Sequence, residues 1–397
     1  MLTTFYILVG LEVLLGIYSL WDGWKWLKYA QRRLLTPYGL YRPRVGLICP
    51  CHGLEPGLEQ NLLSLTKFDY SNYDIFLAIA NGADSARDVI ERVAKASAHP
   101  VHVVIAGEAK ECSEKVHNLS AAVEQIGEDF EVIAFTDSDA RPGRHWLARL
   151  IAPLAETRLG AATTFRWLLP EHGGFWSALA SAWNASAATM LGEHSRNFCW
   201  GGGTAIRRKT FYDANVLGFW KGAASDDYAM TRALQEAGRE IRFVPEALTP
   251  SFYDANASGL IEFTNRQMRI TRVYSPRMWM LATISHGLYC GTVLFAALAI
   301  ANEAFTGVSA FSMLLMAMLI PLLAALKGAL RAVAATELLP DWRAKVQEWS
   351  WAWIGLAPVV PFLYLWNLLG AAFIRQVRWR GIRYELVSPN QTRILLH

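Results

Sequence analysis

Charge is scarce in this 397-residue chain. Asp, Glu, Lys and Arg make up 18% of it, against ~25% in an average soluble protein. Hydrophobic residues make up 53% and mean hydropathy is +0.19, which excludes disorder and collagen-like or coiled-coil architectures. Cysteine is also sparse: five, odd in number and scattered, do not make a disulfide-stapled miniprotein. Cys49 and Cys51 sit beside His52 like a soft metal cluster, but no second pair at zinc spacing follows. Cys112, Cys199 and Cys290 are isolated, so all five read as structural or pocket-wall residues. A net charge of +4 is too small to argue for nucleic acid as a partner. There is no Gly-x-Gly-x-x-Gly after the first strand and no Walker lysine loop, which argues against a dinucleotide or P-loop ATP site.

What the chain does have is apolar length and sixteen tryptophans, several of them beside the apolar runs. The run Leu2 to Leu20 approaches the ~20 residues that a spanning helix needs. No Lys or Arg precedes it, unlike a cleaved signal peptide. Lys25, Lys28, Arg32, Arg33, Arg42 and Arg44 follow it, which puts the amino terminus outside and the next segment in the cytoplasm. Three later runs lie at about 279–301, 309–331 and 350–373. Asn302–Val308 reads as an outside loop, whereas Lys327, Arg331, Arg343 and Lys345 mark the next link as cytoplasmic. The last run carries Pro358 and Pro361 and reads as kinked or re-entrant. Three full crossings would leave the tail outside, yet Arg375, Arg378, Arg380 and Arg383 give it an inside signature. The basic tail is given the greater weight, so either 350–373 or 279–301 is expected not to cross fully.

Between the apolar ends, short β-rich runs alternate with helical stretches. Strands are expected at Val45–Ile48, Ile75–Ala80, Val101–Ile105 and Val132–Thr136, and helices at Gly57–Leu65, Ser85–Ala96 and Ser113–Ile126. Such alternation implies an α/β fold with a parallel sheet covered on both faces, and ligands bind such sheets outside the carboxyl ends of the strands. The segmentation is an N-terminal spanning helix (1–22), a basic linker (23–43), a cytoplasmic α/β domain (44–260), an interfacial arginine-rich segment (261–278), membrane helices (279–374) and a cytoplasmic tail (375–397).

Asp137-Ser138-Asp139 directly follows the apolar run Val132–Phe135. Carboxylates spaced i, i+2 in extended chain point to one side, and two like charges there call for a cleft, a cation or water. Mg²⁺ or Mn²⁺ would suit these hard oxygens and could bridge them to a diphosphate. The second signal is Ser225-Asp226-Asp227-Tyr228 at a helix start. Asp226 can serve as the cap, leaving Asp227 facing the cleft as a general base for an alcohol. Upstream, Trp200-Gly201-Gly202-Gly203-Thr204 is a turn where backbone can approach a ligand closely.

Taken in order, Pro50, Glu55, Asp84, Lys115-x-x-Asn118, Asp137-Ser138-Asp139, the glycine turn, Asp226-Asp227-Tyr228, Arg266-x-x-Arg269 and Trp379-Arg380-Gly381-x-x-Tyr384 form a recognisable series. It resembles the membrane glycosyltransferases with the nucleotide-sugar-binding GT-A fold, and within them the ceramide glucosyltransferase group. The resemblance covers nearly the whole chain. It implies that Glu55 and Asp84 contact the uridine of a UDP-sugar, that Lys115 and Asn118 line the donor pocket, and that Gly202 and Gly203 approach the donor. Asp137 and Asp139 would hold the diphosphate through Mn²⁺ or Mg²⁺, and Asp227 would deprotonate the acceptor. Arg266 and Arg269 would steady the departing diphosphate; a shifted register, Arg269-x-x-Arg272, fits the cations equally well. Ile270 stands where the family element has Trp, and Asn81 replaces an acidic residue often found before the Asp84 position, so the acceptor is left open.

The implied activity is transfer of a sugar, with glucose the one the resemblance favours, from a UDP-sugar to a lipid hydroxyl, ceramide-like or other, with inversion to a β-glycolipid. The implied protein is integral to the membrane, with its catalytic domain in the cytoplasm. A processive polysaccharide synthase would need more spanning helices and a complete Gln-x-x-Arg-Trp. A transporter would carry its polar chemistry within the spans, whereas here it clusters in the middle of the chain, and a scaffold would not hydrolyse a UDP-sugar.

Overall fold

The computed structural model describes residues 1–306 and 310–396. The expected outside loop Asn302–Val308 therefore runs partly outside the described residues. In chain order the elements begin with α1 (Leu2–Leu34), β1 (Val45–Pro50), α2 (Leu58–Leu65), β2 (Tyr73–Ile79), α3 (Arg87–Ala96), β3 (Val101–Ile105), α4 (Glu114–Glu124) and β4 (Val132–Thr136). Next come α5 (Trp146–Ile151), β5 (Leu159–Thr163), β6 (Arg166–Leu169), α6 (Phe175–Ala187), β7 (Gly203–Arg207), α7 (Arg208–Asp213), α8 (Val216–Trp220), α9 (Asp226–Glu236), β8 (Glu240–Phe243) and β9 (Thr249–Phe252). The chain continues through α10 (Ala257–Tyr274), α11 (Pro276–Thr306), α12 (Ala310–Leu338), α13 (Arg343–Gly355) and α14 (Val360–Phe373), and closes with β10 (Gln376–Trp379), β11 (Ile382–Ser388) and β12 (Gln391–Leu396).

These elements form two compact units. The α/β unit comprises Arg32–Leu168, Met190–Tyr253 and Arg375–His397. Its main sheet has the order β3-β2-β1-β4-β7-β5-β8. The first four strands run parallel, as the alternating pattern predicts, because each is joined to the next in sequence by a helix. Side chains alternate between faces: Val45, Leu47 and Cys49 of β1 enter one core with Leu58, Leu62 and Val89, while Ile48 enters the other with Leu119, Val123 and Trp220. Cys49 and Cys51 are thus buried core residues, and His52 instead meets Glu114 at 2.5 Å.

The wholly parallel expectation fails at β7, which runs antiparallel to both β4 and β5. The reversal pairs Gly203 with Thr136, so the glycine turn that enters β7 lies against the residue after β4, Asp137. A second departure is the tail. Residues 375–397 belong to the α/β unit, where β10, β11 and β12 form their own antiparallel sheet with Val377, Tyr384 and Leu386 buried.

The helical unit comprises Met1–Gln31, Leu169–Thr189 and Asp254–Ile374. It therefore takes in α6, which the segmentation had placed in the α/β domain. Helix α6 is lined with small buried residues (Ser177, Ala178, Ser181 and Ala182), and the Trp353 indole donates to Ser181 Oγ at 2.8 Å. Among the described residues three helices are long and apolar enough to cross a membrane: Leu2–Leu34, Pro276–Ala304 and Ala310–Leu338. Residues 340–373 instead form a pair of helices bent by 74° at the break before Val360, where Pro358 has no N–H to donate and Pro361 sits in the first turn of α14.

Candidate active site

The site is built where β4 ends. Asp137 and Asp139 follow the strand, and Ser138 between them donates from Oγ to Glu55 Oε1 at 2.6 Å. Helix α4 starts on the cap Ser113, whose hydroxyl accepts from Val116 N, and its first turn carries Lys115. A cation there opposes the helix dipole. It is held because its ammonium lies 2.7 Å from Asp137 Oδ1 and 3.1 Å from Asp226 Oδ1. Arg166, at the start of β6, reaches Asp139 and lies 3.6 Å from Asp137. Arg380, on the turn between β10 and β11, lies 2.5 Å from Glu55 Oε1.

The glycine turn closes against this network. A Cβ on Gly201 would lie 2.9 Å from Lys115 Nζ, and one on Gly202 would lie 2.7 Å from Asp137 Oδ2. On Gly203 it would meet Thr164 at 2.5 Å. Any side chain at these positions would displace the ion pairs or the strand, which accounts for three consecutive glycines.

At the start of α9 the cap is neither of the two aspartates, contrary to the expectation for Asp226. Ser225 is the cap, accepting from Tyr228 N, so no aspartate is needed for it. Asp227 Oδ1 accepts from the Ser225 hydroxyl and from Tyr228 N (2.8 Å), while its second oxygen has no hydrogen-bond partner among the described residues. Asp226 is the buried member, 4% exposed and turned onto Lys115. The reason is that the cap side chain takes up the first-turn N–H, which leaves Asp226 to the inward face and Asp227 half-exposed.

The remaining expected residues are distributed as follows. Asp84 Oδ1 accepts from Gly53 N (2.9 Å) and Ala86 N (2.8 Å), so one of its oxygens pins the loop after β1. Asn118 lies one turn beyond Lys115 and is 1% exposed, and its Oδ1 has no partner among the described residues. Arg266, Arg269 and Arg272 all lie on α10 in the helical unit. Arg272 donates to Ala371 O at 2.8 Å and sits over the Trp279 ring, which ties it to helix packing. Sequence reasoning missed Arg166 and gave no role to Trp379 or Arg380. Arg166 carries no local signal, whereas the Trp-Arg-Gly turn of the tail was a visible one.

Electrostatics follow from this geometry. Burial pushes the Asp137 carboxyl up, but Lys115 and Arg166 outweigh it and hold the group below its usual range. Burial dominates at Asp226, against the pull of Lys115, and raises it to about 6. Burial, then the charge of Asp139, raises Glu55 as well. A carboxyl whose pKa is raised on folding binds its proton more readily when folded. Its contribution to stability is therefore greatest at low pH and is lost as pH rises through the folded value near 6. We expect Asp226→Asn to gain stability relative to wild type as pH goes from 5 to 7, by on the order of 1 kcal/mol, read as a rise in its relative thermal unfolding midpoint. Unfolding in detergent at both pH values checks this. A constant difference between the proteins would mean that Lys115 keeps Asp226 ionised throughout.

Among the described residues no three His, Cys, Asp or Glu side chains converge as a complete metal shell. The residues do fit a partial one. Formally Glu55, Asp137, Asp139, Asp226 and Asp227 outnumber Lys115, Arg166 and Arg380 by two charges. Hard divalent cations are commonly held by one or two carboxylates, with substrate phosphates and water supplying the rest.

Comparison with known proteins agrees with the series of motifs, since a family model described as Glycosyl transferase family 21 matches residues 2–392. The chain belongs to glycosyl transferase family 21. This family 21 chain thus combines an α/β unit with helices long and apolar enough to cross a membrane. Among solved structures, GalNAc-T7 crystallised with UDP, GalNAc and Mn²⁺ is similar at 13% identity, with a TM-score of 0.41 over 63% of this chain and 52% of that one. Glucosyl-3-phosphoglycerate synthase from Mycobacterium tuberculosis, in complex with phosphoglyceric acid, is similar at 12% identity, with a TM-score of 0.38 over 62% of this chain and 83% of that one. The family 21 chain thus spans about half the length of the GalNAc-T7 chain.

Proposed function

We propose that this protein transfers a sugar, glucose in the reading the motifs favour, from a UDP-sugar to the hydroxyl of a membrane lipid, ceramide-like or related. The observation that carries the reading is the cradle of Asp137, Lys115, Asp226 and the glycine turn at the carboxyl end of β4, in a family 21 chain with apolar helices. Displacing a nucleoside diphosphate requires charge stabilisation at the leaving group and an activated hydroxyl on the opposite face.

Lys115 and Arg166 favour the ionised form of Asp137, and Arg166 fixes Asp139 in place. A divalent cation held by Asp137 and Asp139 would neutralise charge on the departing diphosphate. The open oxygen of Asp227 would accept the proton of the attacking hydroxyl. Arg266 and Arg269 are assigned to the diphosphate on the family pattern, Glu55 and Asp84 to the uridine of the donor, and Lys115 and Asn118 to the lining of the donor pocket. A single displacement of an α-linked donor gives a β-glycoside.

The topology that accompanies this reading places the α/β unit and the tail in the cytoplasm. Since the tail is part of the α/β unit, the number of crossings between Tyr253 and Arg375 must be even. Helices α11 and α12 supply two, and the bent α13–α14 pair enters and leaves on one side.

The decisive experiment incubates purified protein in lipid with a panel of UDP-sugars and lipid extracts, and identifies products by mass spectrometry. Absence of any glycolipid product with every donor would sink the reading. In the same assay a chelator should abolish transfer, and Mn²⁺ or Mg²⁺ should restore it. Full turnover in excess chelator would remove the metal from the scheme.

A further inference from the structure

We propose that the hairpin tip formed by Trp379 and Arg380 is a wall of the donor pocket, and that Arg380 binds the donor diphosphate. The inference rests on the reading above and extends it to a segment that the acidic motifs do not reach.

The first observation is the turn itself. Arg380 has φ 53° and the following Gly381 has φ 83°. Two successive left-handed residues are what a tight two-residue hairpin requires, and glycine serves the second position without cost. Arginine at the first position carries a backbone penalty, since Asn, Asp or Gly would be easier there. The side chain is therefore the reason to look at this residue.

The second observation is what the side chain meets. Glu55 is its ion-pair partner, with the Glu55 side chain only 5% exposed and that of Arg380 37% exposed. One side of the guanidinium is thus engaged and another faces solvent, although the group has five N–H donors. Glu55 in turn accepts from Ser138, the residue between Asp137 and Asp139, so the pair is joined to the segment that would share the diphosphate. Guanidinium is the side chain best shaped to take two phosphate oxygens at once.

The third observation is that the hairpin is fastened to the site. The Trp379 ring lies 5.8 Å from Lys115 Nζ. The Tyr384 hydroxyl accepts from Glu114 N at 3.3 Å, on the turn of α4 that carries Lys115. Farther along, Thr392 donates to Gly222 O at 2.8 Å, and a Cβ on Gly222 would lie 2.1 Å from Asn390 O. A loose tail would need none of these contacts. Together they hold Arg380 at the pocket as a fixed group. With the donor bound, the guanidinium would keep its pair with Glu55 and offer its remaining N–H donors to the diphosphate.

The test compares affinities for UDP and for uridine, measured by calorimetry at fixed divalent cation concentration. Arg380→Gln alone would strand the buried Glu55 carboxylate, so the informative pair is Glu55→Gln and the double variant Glu55→Gln/Arg380→Gln. Uridine reports on the nucleoside end of the pocket and cancels any effect of the Glu55 change there. The expected result is that the UDP-to-uridine affinity ratio falls by roughly 10- to 100-fold when Arg380 is lost, the usual range for hydrogen bonds to a charged group. Arg380→Lys should recover part of that loss, because it keeps the charge but not the fork. Equal ratios in Glu55→Gln and in the double variant would overturn the role of Arg380 and leave the transferase reading standing. A wild-type protein that binds neither UDP nor uridine would overturn both.

Discussion

Replacing Asp227 by asparagine is expected to lower turnover by roughly 10²–10⁴-fold, the usual worth of a general base, while donor affinity stays nearly unchanged. The variant keeps the size of the side chain and an oxygen able to accept from the Ser225 hydroxyl and Tyr228 N. What it loses is the capacity to take a proton at the oxygen that has no hydrogen-bond partner among the described residues. Asp226 makes a poorer base despite its raised pKa, because it is buried beneath Gly201 and bound to Lys115. Turnover measured beside calorimetric donor binding separates the two residues. If Asp227→Asn retains wild-type turnover while Asp226→Asn loses it, the base is Asp226. If both variants turn over normally, the proposed mechanism is wrong.

The second large effect concerns Lys115. Its ammonium neutralises Asp137 and Asp226, and all three side chains are less than 20% exposed. Lys115→Met preserves most of the stem but leaves two buried carboxylates facing each other. Removing one member of such a buried set typically costs ~3–5 kcal/mol. We expect a large fall in the thermal unfolding midpoint in detergent, with donor binding lost in parallel. Adding Asp226→Asn should return a substantial part of the stability by removing one stranded charge, but not the donor binding. A Lys115→Met protein as stable as wild type would mean that water or counter-ions already compensate the two aspartates, and that Lys115 is not the keystone of the network.

Several features were legible in the residues because they depend on neighbours in sequence. Val101–Ile105 and Val132–Thr136 were expected as strands and are strands with the same limits, since runs of β-branched residues bounded by turn formers state their own conformation. Ser113 begins α4 as its spacing from the apolar face required. The apolar lengths of α1, α11 and α12, the placing of Asp137 and Asp139 after a strand, and the order of motifs that marked the family were all readable in the same way.

Tertiary structure decided what depends on residues far apart in the chain. The sequence pattern could not reveal that β7 runs antiparallel to β4, and it is this reversal that lays the glycine turn on Asp137. Nor could it tell Asp226 from Asp227: both suit a helix start, and only the position of Lys115, 111 residues upstream of Asp226, draws one of them inward. Arg166 and Arg380 join the site from a strand start and a hairpin tip that have no acidic neighbour in sequence. The basic tail looked like a membrane-side anchor, yet it is a folded sheet whose tip reaches Glu55. An ion pair between distant residues is set by the order in which strands meet, and strand order is a property of the whole core, not of any local run of residues.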